Sequence, residues 1–169
     1  MQSSIEELTY GIRGPLRGLV FSSEVLAHFH RNRQQRSHSC EAGGQLFARF
    51  TADTIIVEVA TGPYRKDKRS RFLFTPDRRR EQHDIDGHFA QRLHFLGNWH
   101  THPQGVPSPS GTDLNNTRQR FLKSEHNLSA FLMVIVGRNP FPGGLYVALV
   151  NEIAVNPLVV TRNSASVDD

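Results

Sequence analysis

The stretch GNWHTHPQGVPSPSGTD, residues 97–113, places two histidines one residue apart and follows them with a serine and an aspartate. The apolar residues before the histidines predict a β-strand over 95–102. Side chains two residues apart on a strand point the same way, so His100 and His102 would stand about 6.5 Å apart on one face. Two imidazoles at that spacing can converge on one ion, which favours a metal site over an ordinary strand and loop.

Asp113 is the candidate third ligand, because catalytic zinc commonly takes three protein ligands and leaves its fourth position to water. Residues 110 to about 123 predict a helix, and the three prolines between 103 and 109 stiffen the loop that leads to it. Ser110 and Asp113 also match a capping box, which closes the start of a helix. The two interpretations are compatible, since a metal ligand can lie in the first turn of a helix.

Hydrolysis at such a site needs a group that takes a proton from water and returns it to the leaving group. A bound zinc ion lowers the pKa of its water to about 7, and a glutamate moves the proton in other zinc peptidases. Glu41, followed by two glycines in HSCEAGGQLF, is the candidate here. The hydroxyl of Ser110 could donate to a tetrahedral oxyanion at the positive end of its helix. Cys40 as a nucleophile is the alternative, although a lone cysteine is more commonly a small buried residue.

The spacing H-x-H-x7-S-x2-D with an upstream glutamate resembles the signature of the JAMM (MPN-plus) zinc metalloproteases. The stretch LGNWHTHPQGVPSPSGTD closely resembles the prokaryotic branch of that family, and the similarity runs from about residue 19 to 151. The five residues of this chain that match the signature are Glu41, His100, His102, Ser110 and Asp113.

The resemblance implies a role for each of these residues. His100, His102 and Asp113 would bind one Zn²⁺, Glu41 would act as general base and then acid, and Ser110 would steady the transition state. It also implies an α/β fold like that of cytidine deaminase, with a mixed β-sheet flanked by helices. The implied activity is a zinc-dependent isopeptidase or peptidase that cleaves after the C-terminus of a ubiquitin-like protein, or of a target conjugated through it.

The chain length and the stretch GPYRKDKRSRFLFTPD resemble family members of bacterial antiphage operons, which act beside E1-like and E2-like proteins. One alternative is a processing peptidase for a sulfur-carrier protein. Another is a non-catalytic MPN scaffold, although such members typically lack the metal ligands that this chain keeps. Residues 62–75 are the candidate substrate-holding segment, whereas a second insertion after Asp113 is short or missing.

Charge and composition restrict the other possibilities. The chain has a formal net charge of +4, and basic runs at 65–71 and 78–80 could meet nucleic acid or an acidic protein. No nucleic-acid-binding motif accompanies them, which disfavours nucleic acid as a partner. No apolar run reaches the roughly 20 residues of a membrane span, and the start lacks the pattern of a signal peptide. A single cysteine favours a reducing compartment, and hence the cytoplasm.

The periodicity of the chain predicts one domain over residues 1–161 and a disordered tail over 162–169. A helix that begins after Ser22 is predicted to reach about residue 34, and a second is predicted with Thr75 as N-cap and a buried stripe of Ile85, Phe89 and Leu93. Residues 62–71 predict an exposed, mobile loop. The predicted strands cover 8–14, 17–22, 44–50, 54–60, 95–102, 130–137, 144–151 and 153–161.

Overall fold

The computed structural model describes residues 6–163. The strands are β1 (Leu8–Gly11), β2 (Gly18–Phe21), β3 (Gly43–Phe50), β4 (Thr54–Ala60), β5 (Lys68–Ser70), β6 (Leu73–Thr75), β7 (His94–Thr101), β8 (Phe131–Val136), β9 (Leu145–Val150), β10 (Val155–Pro157) and β11 (Val160–Asn163). The helices are α1 (Ser23–Arg31), α2 (Arg78–Ala90) and α3 (Gly111–Lys123). Residues 164–169 of the predicted tail lie outside the described residues.

Nine of the strands form one mixed sheet in the order β10-β9-β8-β7-β3-β4-β2-β1-β11, and β5 pairs with β6 in a separate hairpin. The β2–β4 and β7–β8 pairs are parallel, and the other pairs of the large sheet are antiparallel. The sheet curls until its edge strands β10 and β11 meet, because residues 158 and 159 connect them: the Leu158 N–H donates to Val147 of β9, and the Val159 carbonyl accepts from Gly11 of β1. The predicted mixed sheet with flanking helices is therefore confirmed.

The middle of the sheet is buried on both faces. All six residues of β8 are buried, as expected of a central strand whose continuous apolar run is covered on both faces. On β3 the first six residues are buried, so this strand is also covered on both faces. Phe47 stacks on His88 of α2 at 4.1 Å, whereas Trp99 of the neighbouring β7 packs against Phe29 of α1 at 5.3 Å. The two faces of the sheet are thus covered by different helices.

Helix α2 differs from its prediction. Asp77 is the N-cap and accepts from the Arg79 N–H at 3.1 Å, because Thr75 instead ends β6. The apolar stripe is wrong as well, since Phe89 is 65% exposed and Leu93 lies beyond the helix. The buried residue of α2 is Asp84, a polar group that a search for apolar periodicity does not detect.

Three other predicted segments have different structures. The predicted loop 62–71 contains β5, whose exposed residues carry no alternation typical of a strand. The single strand predicted over 153–161 is two strands on opposite edges of the sheet. Helix α1 ends at Arg31, and Cys40 is exposed rather than buried.

The close approach of β7 and β8 gives a stability prediction. Gly97→Ala is expected to lower the free energy of unfolding by about 1–3 kcal/mol, because its Cβ would lie 1.9 Å from the Leu132 carbonyl oxygen. The matched control is Gly87→Ala in α2, where nothing lies within 4 Å of the added Cβ. There the substitution is expected to raise the free energy of unfolding by about 0.5–1 kcal/mol. Urea denaturation followed by circular dichroism measures both, and equal values would contradict this packing.

Candidate metal centre and active site

The two histidines of the motif lie at the end of β7. His100 belongs to the strand, and His102 follows it with its N–H donating to the Val136 carbonyl at 3.0 Å. Their Nε2 atoms are 3.1 Å apart. Thr101 between them points to the opposite face, where it is buried and its hydroxyl donates to Gln34 at 2.8 Å. The predicted convergence of the two imidazoles is therefore observed.

Asp113 approaches both imidazoles from the first turn of α3. Its Oδ1 lies 3.2 Å from Nε2 of His100, and its Oδ2 lies 3.2 Å from Nε2 of His102. Oδ2 also accepts from the Ser110 N–H at 2.8 Å, while the Asp113 N–H donates to the Ser110 hydroxyl at 3.1 Å. The capping box and the approach to the histidines thus occur together, as the sequence allowed.

The loop between β7 and α3 braces this arrangement through Gln104. The side-chain oxygen of Gln104 lies 3.2 Å from Nδ1 of His102 and accepts from the Ser108 N–H at 3.1 Å. Its carbonyl oxygen accepts from the Arg138 N–H at 2.7 Å, beyond the end of β8. Gln104 therefore holds Nδ1 of His102 and orients the imidazole ring, so that Nε2 faces Asp113. Gln104 lies outside the motif, and its position in the sequence carries no signal that would have identified it.

Burial and mutual contact shift the pKa values of these groups. Burial by itself raises the pKa of Asp113, but hydrogen bonds to His100 and His102 outweigh it and hold the pKa well below its usual range. Burial likewise lowers the pKa of His102, but the contact with Asp113 reverses the effect and leaves the pKa raised. The contact therefore favours the ionised form of Asp113 and the charged form of His102.

Glu41 lies directly before β3 and is 8% exposed. It can offer a carboxylate oxygen within 4.8 Å of the histidine ligand atoms. Burial raises the pKa of Glu41, against the lowering effect of the two nearby histidines. Neighbouring atoms approach both of the following glycines closely, since a Cβ on Gly43 would lie 2.7 Å from the Phe74 ring and one on Gly44 would lie 1.8 Å from the Thr61 carbonyl oxygen.

Two overlapping sets of side chains could hold a metal ion. Glu41 with the two histidines forms the wider set, with ligand atoms up to 4.8 Å apart. Asp113 with the same histidines forms the tighter set, with contacts of 3.1 to 3.2 Å. Neighbouring ligands of a tetrahedral zinc ion lie about 3.3 Å apart, given bonds of about 2.0–2.1 Å. The tighter set therefore fits zinc, and Glu41 stands beside it.

A cavity of about 1100 Å³ lies elsewhere in the molecule. It is lined by the start of β7, by α2 and by the end of α3, including His94, Phe95 and Lys123. None of the five motif residues lines it. The cluster at the end of β7 lies outside this cavity, and His100, His102 and Asp113 are each about 15% exposed.

Comparison with known proteins supports the same interpretation of the motif. Residues 22–147 match the model of a family described as prokaryotic homologs of the JAB domain. A Pseudomonas aeruginosa protein named CD-NTase/cGAS isopeptidase is 36% identical over 142 residues, which cover 78% of this chain and 82% of the relative. An Enterobacter hormaechei protein of the same name is 27% identical, over 81% of this chain and 77% of the relative. A Sinorhizobium fredii protein named probable metalloprotease y4qB is 29% identical, over 72% and 77%.

A solved structure agrees on the fold. The solution structure of a Desulfitobacterium hafniense protein superposes with a TM-score of 0.59 at 20% identity, over 81% of this chain and 87% of that one. In residues 6–163 no helix is long and apolar enough to cross a membrane. The family match and the names of the relatives imply a metal-dependent hydrolase rather than a scaffold. The resemblance to JAMM enzymes is confirmed: the chain belongs to the prokaryotic branch of the JAB (JAMM) family of peptidases.

Proposed function

We propose that the chain is a zinc-dependent isopeptidase that hydrolyses the bond after the C-terminus of a ubiquitin-like protein or of a target conjugated through it. One observation carries the proposal, namely the convergence of His100, His102 and Asp113 within 3.2 Å beside the buried Glu41. The N, N, O donor set of the first three residues is the kind that catalytic zinc takes.

Each residue has a task in this proposal. A bound zinc ion would supply Lewis-acid chemistry and make water acidic enough to ionise near neutral pH. Glu41 would take the proton and hand it to the leaving amine, a task that suits a carboxyl whose pKa burial raises. Ser110 would direct its hydroxyl toward the developing oxyanion from the N-terminus of α3. His100, His102 and Asp113 would hold the metal ion in place.

The relatives support the substrate class. Two of them carry the name CD-NTase/cGAS isopeptidase. We therefore propose that this chain acts in a bacterial system in which a CD-NTase is the conjugated target. Its partners would be the conjugate and the E1-like and E2-like proteins that form it, as part of an antiphage defence in the cytoplasm. Sulfur-carrier processing would use the same chemistry on a different tail, and faster cleavage of a sulfur-carrier fusion than of the conjugates would favour it.

The direct test uses ubiquitin-like proteins fused linearly or linked through lysine to a target, with mass spectrometry of the cut site. Wild-type protein with about one zinc per chain is expected to cleave after the C-terminal residue and to stop when a chelator is added. Glu41→Gln is expected to keep its zinc and lose about 10²–10⁴-fold in kcat, because it removes proton transfer alone. His102→Ala and Asp113→Ala are expected to lose both zinc and turnover.

The control for this test is Glu152→Gln, the same change at an exposed residue after β9. It is expected to leave zinc content and kcat unchanged. A Glu41→Gln enzyme as fast as this control would show that Glu41 does not transfer the proton.

A second prediction separates the two tasks of Ser110. Ser110→Gly removes the hydroxyl but costs the helix only a few tenths of a kcal/mol, because glycine is a tolerable N-cap. It is expected to lower kcat by about a hundredfold. The control is Ser22→Gly, the same change at the N-cap of α1. If the two variants cleave equally fast, Ser110 serves only as a cap.

The basic segment gives a third prediction, since we propose that it contacts the substrate protein. Arg65, Lys66 and Lys68 are exposed, and replacing each by alanine is expected to raise KM by up to about fivefold with kcat unchanged. The effect is expected to shrink as salt is added, because exposed charges are screened. Arg13→Ala, in the loop between β1 and β2, is the control. An unchanged KM for all three variants would show that the basic segment does not contact the substrate.

A further inference from the structure

We infer that Arg69 is a positioning residue for Glu41, an inference that rests on the proposed role of Glu41 in proton transfer. Nε of Arg69 donates to the Glu41 carbonyl oxygen at 2.7 Å, and its Nη2 donates to the Cys40 carbonyl oxygen at 3.4 Å. The neighbouring Ser70 carbonyl oxygen accepts from the Glu41 N–H at 2.7 Å. Strand β5 therefore holds both backbone groups of Glu41.

This clamp matters because Glu41 precedes β3 rather than lying within it. The N–H and carbonyl of Glu41 bond to β5, whereas Ala42 is the first residue of this segment that bonds to the large sheet, through Thr101. The direction of its carboxylate depends on the dihedral angles of residues 40–42, which the bonds to β5 restrict. A second contact reinforces them, since the ring of Phe74 on β6 packs so closely on Gly43 that a Cβ there would lie 2.7 Å from it.

The same hairpin is tied to the strand that carries the histidines. The side-chain N–H₂ of Gln34 donates to the Arg71 carbonyl oxygen at 2.9 Å, and its oxygen accepts from the Thr101 hydroxyl at 2.8 Å. The Thr101 hydroxyl in turn accepts from the Ala42 N–H at 2.9 Å. Gln34 is 1% exposed, so water does not compete with these bonds. The Glu41 segment and the histidine strand thus belong to one hydrogen-bonded network.

The hairpin is also anchored on its other side, to α2. The Tyr64 hydroxyl donates to the buried Asp84 at 2.6 Å, and Arg80 covers the Tyr64 ring at 4.2 Å. The carboxylate of Asp67 accepts from the N–H groups of Tyr64 and Asp77 at 2.6 and 2.9 Å. Arg69 is therefore presented by an element that is fixed at both ends.

The chemistry of arginine suits this task. Its planar guanidinium presents several N–H donors in a fixed fork, so it can bind two successive carbonyl oxygens at once. Lysine carries the same charge on a single flexible ammonium group and cannot reproduce the fork. The substitution Arg69→Lys therefore keeps the positive charge but removes the forked arrangement of N–H donors.

The test compares Arg69→Ala and Arg69→Lys with wild type in turnover, zinc content and amide hydrogen exchange of residues 40–43. Arg69→Ala is expected to keep its zinc, to lose about ten- to a hundredfold in kcat, and to keep KM within about twofold, because only the alignment of Glu41 changes. Amide exchange at 40–43 is expected to accelerate with or without zinc, and Arg69→Lys is expected to fall between wild type and alanine.

The matched control is Arg49→Ala at the far end of β3, where Nε and Nη2 fork onto Glu58 at 3.0 and 3.4 Å. It is expected to leave kcat and exchange at 40–43 unchanged. Wild-type exchange in Arg69→Ala, or an equal loss of kcat in Arg49→Ala, would overturn the inference. If wild type cleaves no ubiquitin-like substrate, the proposed function fails, while the exchange measurement still decides whether Arg69 holds Glu41. If the alanine variant does not fold, the lysine variant decides by the same readouts.

Discussion

The geometry of the site depends on two contacts that the carboxylate of Asp113 makes at the same time. Asp113 has to close the first turn of α3 through its contact with the Ser110 N–H, and it has to reach the imidazoles of His100 and His102. Both are possible only if α3 begins directly opposite the end of β7. The connecting loop therefore has a fixed path, which the bonds of Gln104 to Ser108 and Arg138 maintain.

The electrostatics of the site follow from that geometry. An anionic carboxylate held in a half-buried place is unfavourable unless positive charge compensates it. The lowered pKa of Asp113 and the raised pKa of His102 have this one cause, since the contact favours the charged form of each. An ionised carboxylate 3.2 Å from two imidazole Nε2 atoms supplies the N, N, O donors that a divalent cation takes. The geometry of the contacts therefore supports the proposed zinc site.

The sequence predicted the centre of the molecule better than its periphery, for physical reasons. The histidine spacing, the start of α3 at Ser110 and the buried β8 were predictable, because each depends on local periodicity or on a capping rule. The burial of Asp84 and the position of the β5–β6 hairpin were not, because they depend on hydrogen bonds to residues distant in sequence, from Tyr64 to Asp84 and from Glu41 to Ser70, rather than on apolar alternation. The network of Gln34 was missed for the same reason.

The β5–β6 hairpin shows why the amino-acid composition of a segment does not reveal whether it is a loop or a strand. Its charged residues suggested a solvated loop, yet neighbouring residues of a strand point to opposite sides, so β5 presents two different faces. Arg69 faces the Glu41 backbone, whereas Lys68 helps to line a shallow depression of about 390 Å³ together with Lys66 and Arg79. One face therefore bonds to the backbone of Glu41, the proposed proton-transfer residue, whereas the other face is basic and exposed. In the proposed enzyme, a single short element would thus serve both catalysis and substrate binding, because side chains alternate along a strand.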